Sequence, residues 1–106
     1  MGIYFQPQGI TEEQSEAFLS EGMQVDGSCT ASNFQQTLEA AGINYGGDIW
    51  YCPQGGVEAT QERVEALDAA AKTLRLQMAN GVSMFPQIIA NCFRAARMMG
   101  VPVTWG

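Results

Sequence analysis

Cys29, in the stretch DGSCTASNF, is the residue whose type and position come closest to a nucleophile. It stands at a predicted helix start, where the positive end of the helix dipole lowers a thiol pKa. Nucleophilic catalysis also needs a general base and oxyanion donors. The chain contains no histidine, which excludes Cys-His and Ser-His-Asp catalysis, imidazole-ligated zinc and a histidine pH switch. Asp26, three residues upstream, would raise the thiol pKa, because a negative neighbour disfavours a thiolate. The stronger reading makes Cys29 a small apolar side chain packed beside a helix cap supplied by Ser28 or Thr30.

The remaining chemistry is mostly excluded by spacing. Cys29, Cys52 and Cys92 are an odd number of widely separated cysteines, which fits a reducing compartment and argues against a disulfide framework. A phosphatase-like cysteine needs an arginine six positions on, and those positions hold Gln35, Glu58 and Met98. No C-x-x-C, P-loop, G-x-S-x-G or dinucleotide fingerprint occurs. Glu12 and Glu16 lie one helical turn apart, a spacing that suits an acidic solvated face as well as it suits a metal or glycosidase pair. No metal and no cofactor are expected.

Charge is the informative feature. Residues 1–62 carry nine carboxylates and not one Lys or Arg, whereas the rest of the chain carries two carboxylates and all five cations, for a net charge of −6. Such a field repels nucleic acid and attracts basic surfaces. Two consecutive helices in the first half superficially resemble a helix-turn-helix, but a DNA-reading unit needs cations for the phosphates, so duplex binding is not expected. The function expected from charge is that of a small non-enzymatic interaction protein. Its acidic half, with Glu12, Glu13, Glu16, Glu21, Asp26 and Glu39 as partner-binding residues, would engage a basic protein. Inhibitors of nucleic-acid-handling proteins that present a DNA-like charge pattern offer an analogy in charge and size.

A second expectation rests on an echo. IYFQPQG at residues 3–9 and IWYCPQG at residues 49–55 share Ile, Pro, Gln and Gly and keep two aromatics between them. A strand stopped by Pro-Gln-Gly before a helix exposes backbone donors. In an open α/β sheet Gln8 and Gln54 would then share a crevice at the strand ends, with Trp50 and Cys29 as further ligand-binding candidates. This small-molecule-binding module is the alternative function, and a Cys29 enzyme ranks third.

The elements that must hold these residues read as an α+β fold in one domain, residues 1–106, with a sheet of three or four strands packed by helices. Strands are expected near residues 3–6, 23–25, 49–52 and 101–105, with Gly46-Gly47 turning a hairpin over INYGGDIWYC. Thr11 and Gln14 have the spacing of a capping box for a helix from residue 12 to 21, whose Phe18 and Leu19 face the core. A second helix covers residues 31–41, with Phe34, Leu38 and Ala41 on one stripe. A heptad seam of Val57, Val64, Leu67, Ala71, Leu74 and Met78, broken by Thr60, predicts a long helix from residue 57. Asn80-Gly81 ends it, and Ser83 caps the last helix, with Pro86 in its first turn. Those two helices form an antiparallel αα-hairpin, whose long seam leads to the expectation of a homodimer through residues 57–99. The order β-α-α-β-α-α-β would make residues 3–48 and 49–106 two copies of one unit. No segment approaches the roughly 20 apolar residues of a membrane span, and no secretory leader is recognisable, so the default location is cytoplasmic.

Overall fold

The structure is a computed structural model that describes residues 2–77 and 84–106. Its elements are β1 (Gly2–Pro7), α1 (Glu12–Ser20), β2 (Gly27–Thr30), α2 (Ala31–Ala40), α3 (Gln61–Gln77), α4 (Phe85–Met99) and β3 (Val103–Trp105). The three strands form one antiparallel sheet in the order β2-β1-β3. Ile3 pairs with Cys29, Phe5 with Gly27 on one side and Trp105 on the other, and Pro7 with Val103. Alternation then sorts the side chains by face. Ile3, Phe5, Cys29, Val103 and Trp105 are buried, while Tyr4, Ser28 and Thr30 are exposed and Gln6 and Thr104 half-buried on the other face. An antiparallel sheet tolerates one face in water.

Helices α2 and α4 cover the buried face, and α3 packs on both of them. Their apolar stripes explain why. Phe34 and Leu38 of α2, Leu67 of α3 and Ile89, Cys92 and Phe93 of α4 are fully buried in one cluster with the sheet. Phe34 sits at its centre, stacked on Phe5 at 5.6 Å between ring centroids and meeting Trp105 edge-on at 4.9 Å, geometries that aromatic quadrupoles favour. The C-terminal pair α3 and α4 is pinned at its surface by the Arg94–Asp68 ion pair.

The first helix follows its expected capping. The Thr11 hydroxyl accepts the Gln14 N–H at 3.1 Å, and the Thr11 N–H donates to the Gln14 side chain at 2.9 Å. Its packing departs from expectation: α1 has no buried residue, Phe18 is half-buried and Leu19 is 57% exposed. What ties it to the sheet is polar. Asp26 accepts hydrogen bonds from the Tyr4 hydroxyl of β1 at 3.1 Å and from the Ser15 hydroxyl of α1 at 3.2 Å.

Five expectations about the elements need correction. The expected strand near residues 49–52 is a turn, and no strand forms at the expected Met23–Val25 either: β2 begins four residues later, at Gly27. No hairpin forms over residues 43–52, because neither of its strands is present; of the Gly46-Gly47 pair, Gly46 alone has a positive φ, 94°. Side chains, rather than a strand ladder, organise that segment: Asn44 accepts the Gly46 N–H and Asp48 the Trp50 N–H, as Asx turns do. Helix α3 starts at Gln61, because Thr60, the break in the heptad seam, accepts the Arg63 N–H and caps it. Val57 instead bridges to Val103 on the outer edge of β3. The observed order β-α-β-α-α-α-β replaces the expected β-α-α-β-α-α-β, so the two halves do not share one succession of elements.

The seam residues Val57, Val64, Leu67, Ala71 and Leu74 are at most 5% exposed within the single chain. Val57, Val64 and Leu67 belong to the chain's own core cluster. Met78, Asn80, Gly81 and Ser83 lie outside the described residues.

Candidate functional site

Three of the six acids singled out by sequence are gathered in one place. Helix α1 lies beside the open face of the sheet, and the groove between them, about 390 Å³, is lined by Tyr4 and Gln6 from β1, by Glu12, Ser15 and Glu16 from α1, and by Asp26. Glu12 and Glu16 share a face because they are one helical turn apart. Asp26 is half-buried between them and the strand, held by Tyr4 and Ser15. The Tyr4 hydroxyl is pushed above its ordinary pKa, first by partial burial and then by the Asp26 charge. Among the described residues no Lys or Arg pairs with these carboxylates, and the one side-chain ion pair, Arg94–Asp68, lies on α3 and α4.

Glu13 and Glu21 are also exposed on the α1 side. Glu21 borders a separate apolar cleft with Phe18, Met98 and Met99. Glu39 belongs to a different cluster, on α2. It accepts hydrogen bonds from the Tyr45 hydroxyl at 2.8 Å and the Gln35 amide at 3.1 Å. These bonds hold the Glu39 carboxyl below its ordinary pKa and push the Tyr45 hydroxyl above its own, with the nearby Asp48 charge adding to the latter.

The crevice expected for Gln8 and Gln54 requires a parallel sheet, and this one is antiparallel. The two Pro-Gln-Gly segments are nonetheless the same turn. Ile10 N–H returns to the Pro7 carbonyl at 3.1 Å with Gly9 at φ 71°, and Gly56 N–H to the Pro53 carbonyl at 2.9 Å with Gly55 at φ 84°, the signature of a type II turn. Both lead to β3, but from opposite edges: Gln8 N–H bonds the Pro102 carbonyl, while Val57 and Val103 exchange both of their backbone hydrogen bonds. Gln8 and Gln54 are exposed with β3 between their segments.

Cys29 projects from β2 into the core, 5% exposed. Thr30, one residue on, is the α2 cap, its hydroxyl accepting the Asn33 N–H at 3.1 Å. Burial therefore outweighs the helix dipole, and the thiol is pushed up to about 11. Burial raises Cys92 and Cys52 as well. In all three, burial favours the neutral thiol over the thiolate. Among the described residues no group of three or more Cys, Asp or Glu could hold a metal ion, and no helix is long and apolar enough to cross a membrane.

Sequence reasoning missed the environment of Trp50. It forms a 47% exposed pair with Tyr51, itself 74% exposed, on the turn that replaces the expected strand. The signal that could have found it is the Asp48 to Tyr51 sequence DIWY, an Asx-turn opener before two aromatics.

With the α+β fold and these surfaces in hand, comparison with known protein families, curated proteins and solved structures finds no match.

Proposed function

We propose that the protein is a non-enzymatic interaction module whose α1 face engages a basic protein partner. The observation that carries this reading is the acidic groove of Glu12, Glu16 and Asp26, which faces solvent without a cation among the described residues. Uncompensated carboxylates on one helix repel one another and contribute little to a core that α1 does not enter. A basic surface would relieve that repulsion and be steered towards it. The same field disfavours a polyanion, so the partner is a cationic protein, with a nucleic-acid-handling protein as the specific expectation.

The test begins with affinity capture from the native source at low salt, followed by association kinetics with the captured protein. Reversing Glu12, Glu13 and Glu16 together to Lys should slow association and flatten its salt dependence, with the melting temperature nearly unchanged, because all three are exposed. An unaltered association rate ends this reading.

A further inference from the structure

Trp50 and Tyr51 are adjacent large side chains left 47% and 74% exposed, although the turn that bears them is firmly built. Ile49 is buried, and its carbonyl accepts the indole N–H of Trp105 at 2.8 Å. The Trp50 N–H is held by the Asp48 carboxylate and the Tyr51 N–H by the Asp48 carbonyl, each at 3.0 Å. A turn fixed on both sides loses little conformational entropy on binding, and Trp and Tyr dominate the energetics of protein interfaces. Nothing in the chain's own core requires two aromatics in water here.

The surroundings decide what would cover them. Asp48 is exposed and opens the turn, and its charge reaches Tyr45, which is hydrogen-bonded to Glu39. The Asp48 carboxylate, which accepts the Trp50 N–H, therefore stands beside the aromatic pair, within a stretch, residues 1–62, that carries no Lys or Arg. A nucleic acid strand could stack its bases on these rings, but its phosphates would meet the acids. A cationic side chain satisfies both features, through the ring faces and the Asp48 carboxylate together. Arginine fits better than lysine, because its flat, weakly hydrated guanidinium stacks on an indole while its N–H groups reach a carboxylate.

We propose that the Trp50–Tyr51 turn is an arginine-docking anchor, taking the guanidinium of a basic protein segment against the indole with Asp48 beside it. It rests on the reading of a basic partner and adds the side chain that partner must present. The anchor supplies specificity, and the α1 acids supply steering.

The experiment titrates the full chain with arginine, lysine and neutral homopeptides of equal length, following tryptophan emission and calorimetric affinity across salt concentrations. The arginine peptide should bind at least threefold more tightly than the lysine peptide and change the emission of Trp50, which the Trp50→Phe variant identifies against buried Trp105. Trp50→Ala with Tyr51→Ala should weaken the arginine peptide about fivefold and remove its advantage, leaving the salt slope intact because no charge is lost. Tyr51→Ala alone, at the more exposed position, provides a second reading if the double variant melts early. Salt-sensitive binding that ignores both variants, or equal affinity for the two cationic peptides, overturns the anchor while the acidic reading stands. Failure of both cationic peptides to bind overturns the two together, and tighter binding of a single-stranded oligonucleotide overturns the choice of occupant.

Discussion

The indole Nε1 of Trp105 donates to the main-chain oxygen of Ile49 at 2.8 Å, joining the last strand to a turn 56 residues earlier. Both residues are buried, at 7% and 5% exposure, so the carbonyl has no easy recourse to water. Trp105→Phe keeps a ring against Phe34 but orphans that oxygen, and an unsatisfied buried acceptor costs about 1–3 kcal/mol. Urea unfolding should show a loss of that size, with the Asp48–Tyr51 turn loosening first in hydrogen exchange. An unchanged midpoint would mean that the oxygen regains a partner.

Thr30 and Ser28 flank Cys29 and were equal candidates to cap α2. Only Thr30 accepts the Asn33 N–H, while Ser28 points from the open face of the sheet. Thr30→Ala should therefore cost about 1 kcal/mol, whereas Ser28→Ala should stay within about 0.5 kcal/mol. Equal losses on denaturant unfolding would contradict this placement.

That choice illustrates what the sequence disclosed and what it withheld. Local signals were legible: the Thr11–Gln14 capping box and the Phe34 and Leu38 stripe both depend on residues within a turn or two. The α+β class followed from them. The partnering of strands did not, because it joins distant segments whose own patterns are weak. Gly27–Thr30 reads as a polar turn, and only Cys29 between two outward-facing polar residues betrays its alternation. Ile49–Cys52 looks like a better strand, yet Asp48 captures the Trp50 N–H and bends the chain. Of the acids, the helical pairing of Glu12 with Glu16 was readable; the meeting with Asp26 across β1 required the fold.

Asp26 holds α1 through Ser15 and β1 through Tyr4, and α1 has no buried residue to replace that tether. Asp26→Ala should leave global unfolding little changed but raise hydrogen exchange along residues 12–20 to near the rate of a local opening. Loss of global stability equal to a core substitution would show that α1 is part of the cooperative unit.

The buried thiol of Cys29 links stability to alkaline pH. Its folded pKa, about 11, lies above the ordinary value of 9.0, so the unfolded chain releases this proton first. The stabilisation is complete below about pH 9 and is lost as pH rises through the folded value. The difference in urea midpoint between the native chain and Cys29→Ala should therefore shrink between pH 9 and 11. Alkylation of folded protein at pH 7.5 should spare Cys29 and Cys92 and favour half-buried Cys52. Rapid labelling of Cys29 at that pH would contradict its placement.

The second Pro-Gln-Gly turn yields the sharpest contrast. Gly55 and Gly56 both adopt positive φ, 84° and 78°, a conformation costing a residue with a Cβ about 1–2 kcal/mol. Their surroundings differ. A Cβ on Gly55 would meet nothing within 4 Å, whereas one on Gly56 would lie 2.7 Å from the Val103 carbonyl oxygen and 3.0 Å from Pro102 Cβ. That oxygen cannot retreat, because it accepts the Val57 N–H that closes the edge of β3. Gly55→Ala should thus lose only the backbone term, while Gly56→Ala should lose more and open the Val57–Val103 pair. Thermal melts of the two variants, with amide exchange at Val57 and Val103, separate the effects. Equal melting temperatures would show that the edge yields without cost and that the close approach of turn and strand is incidental.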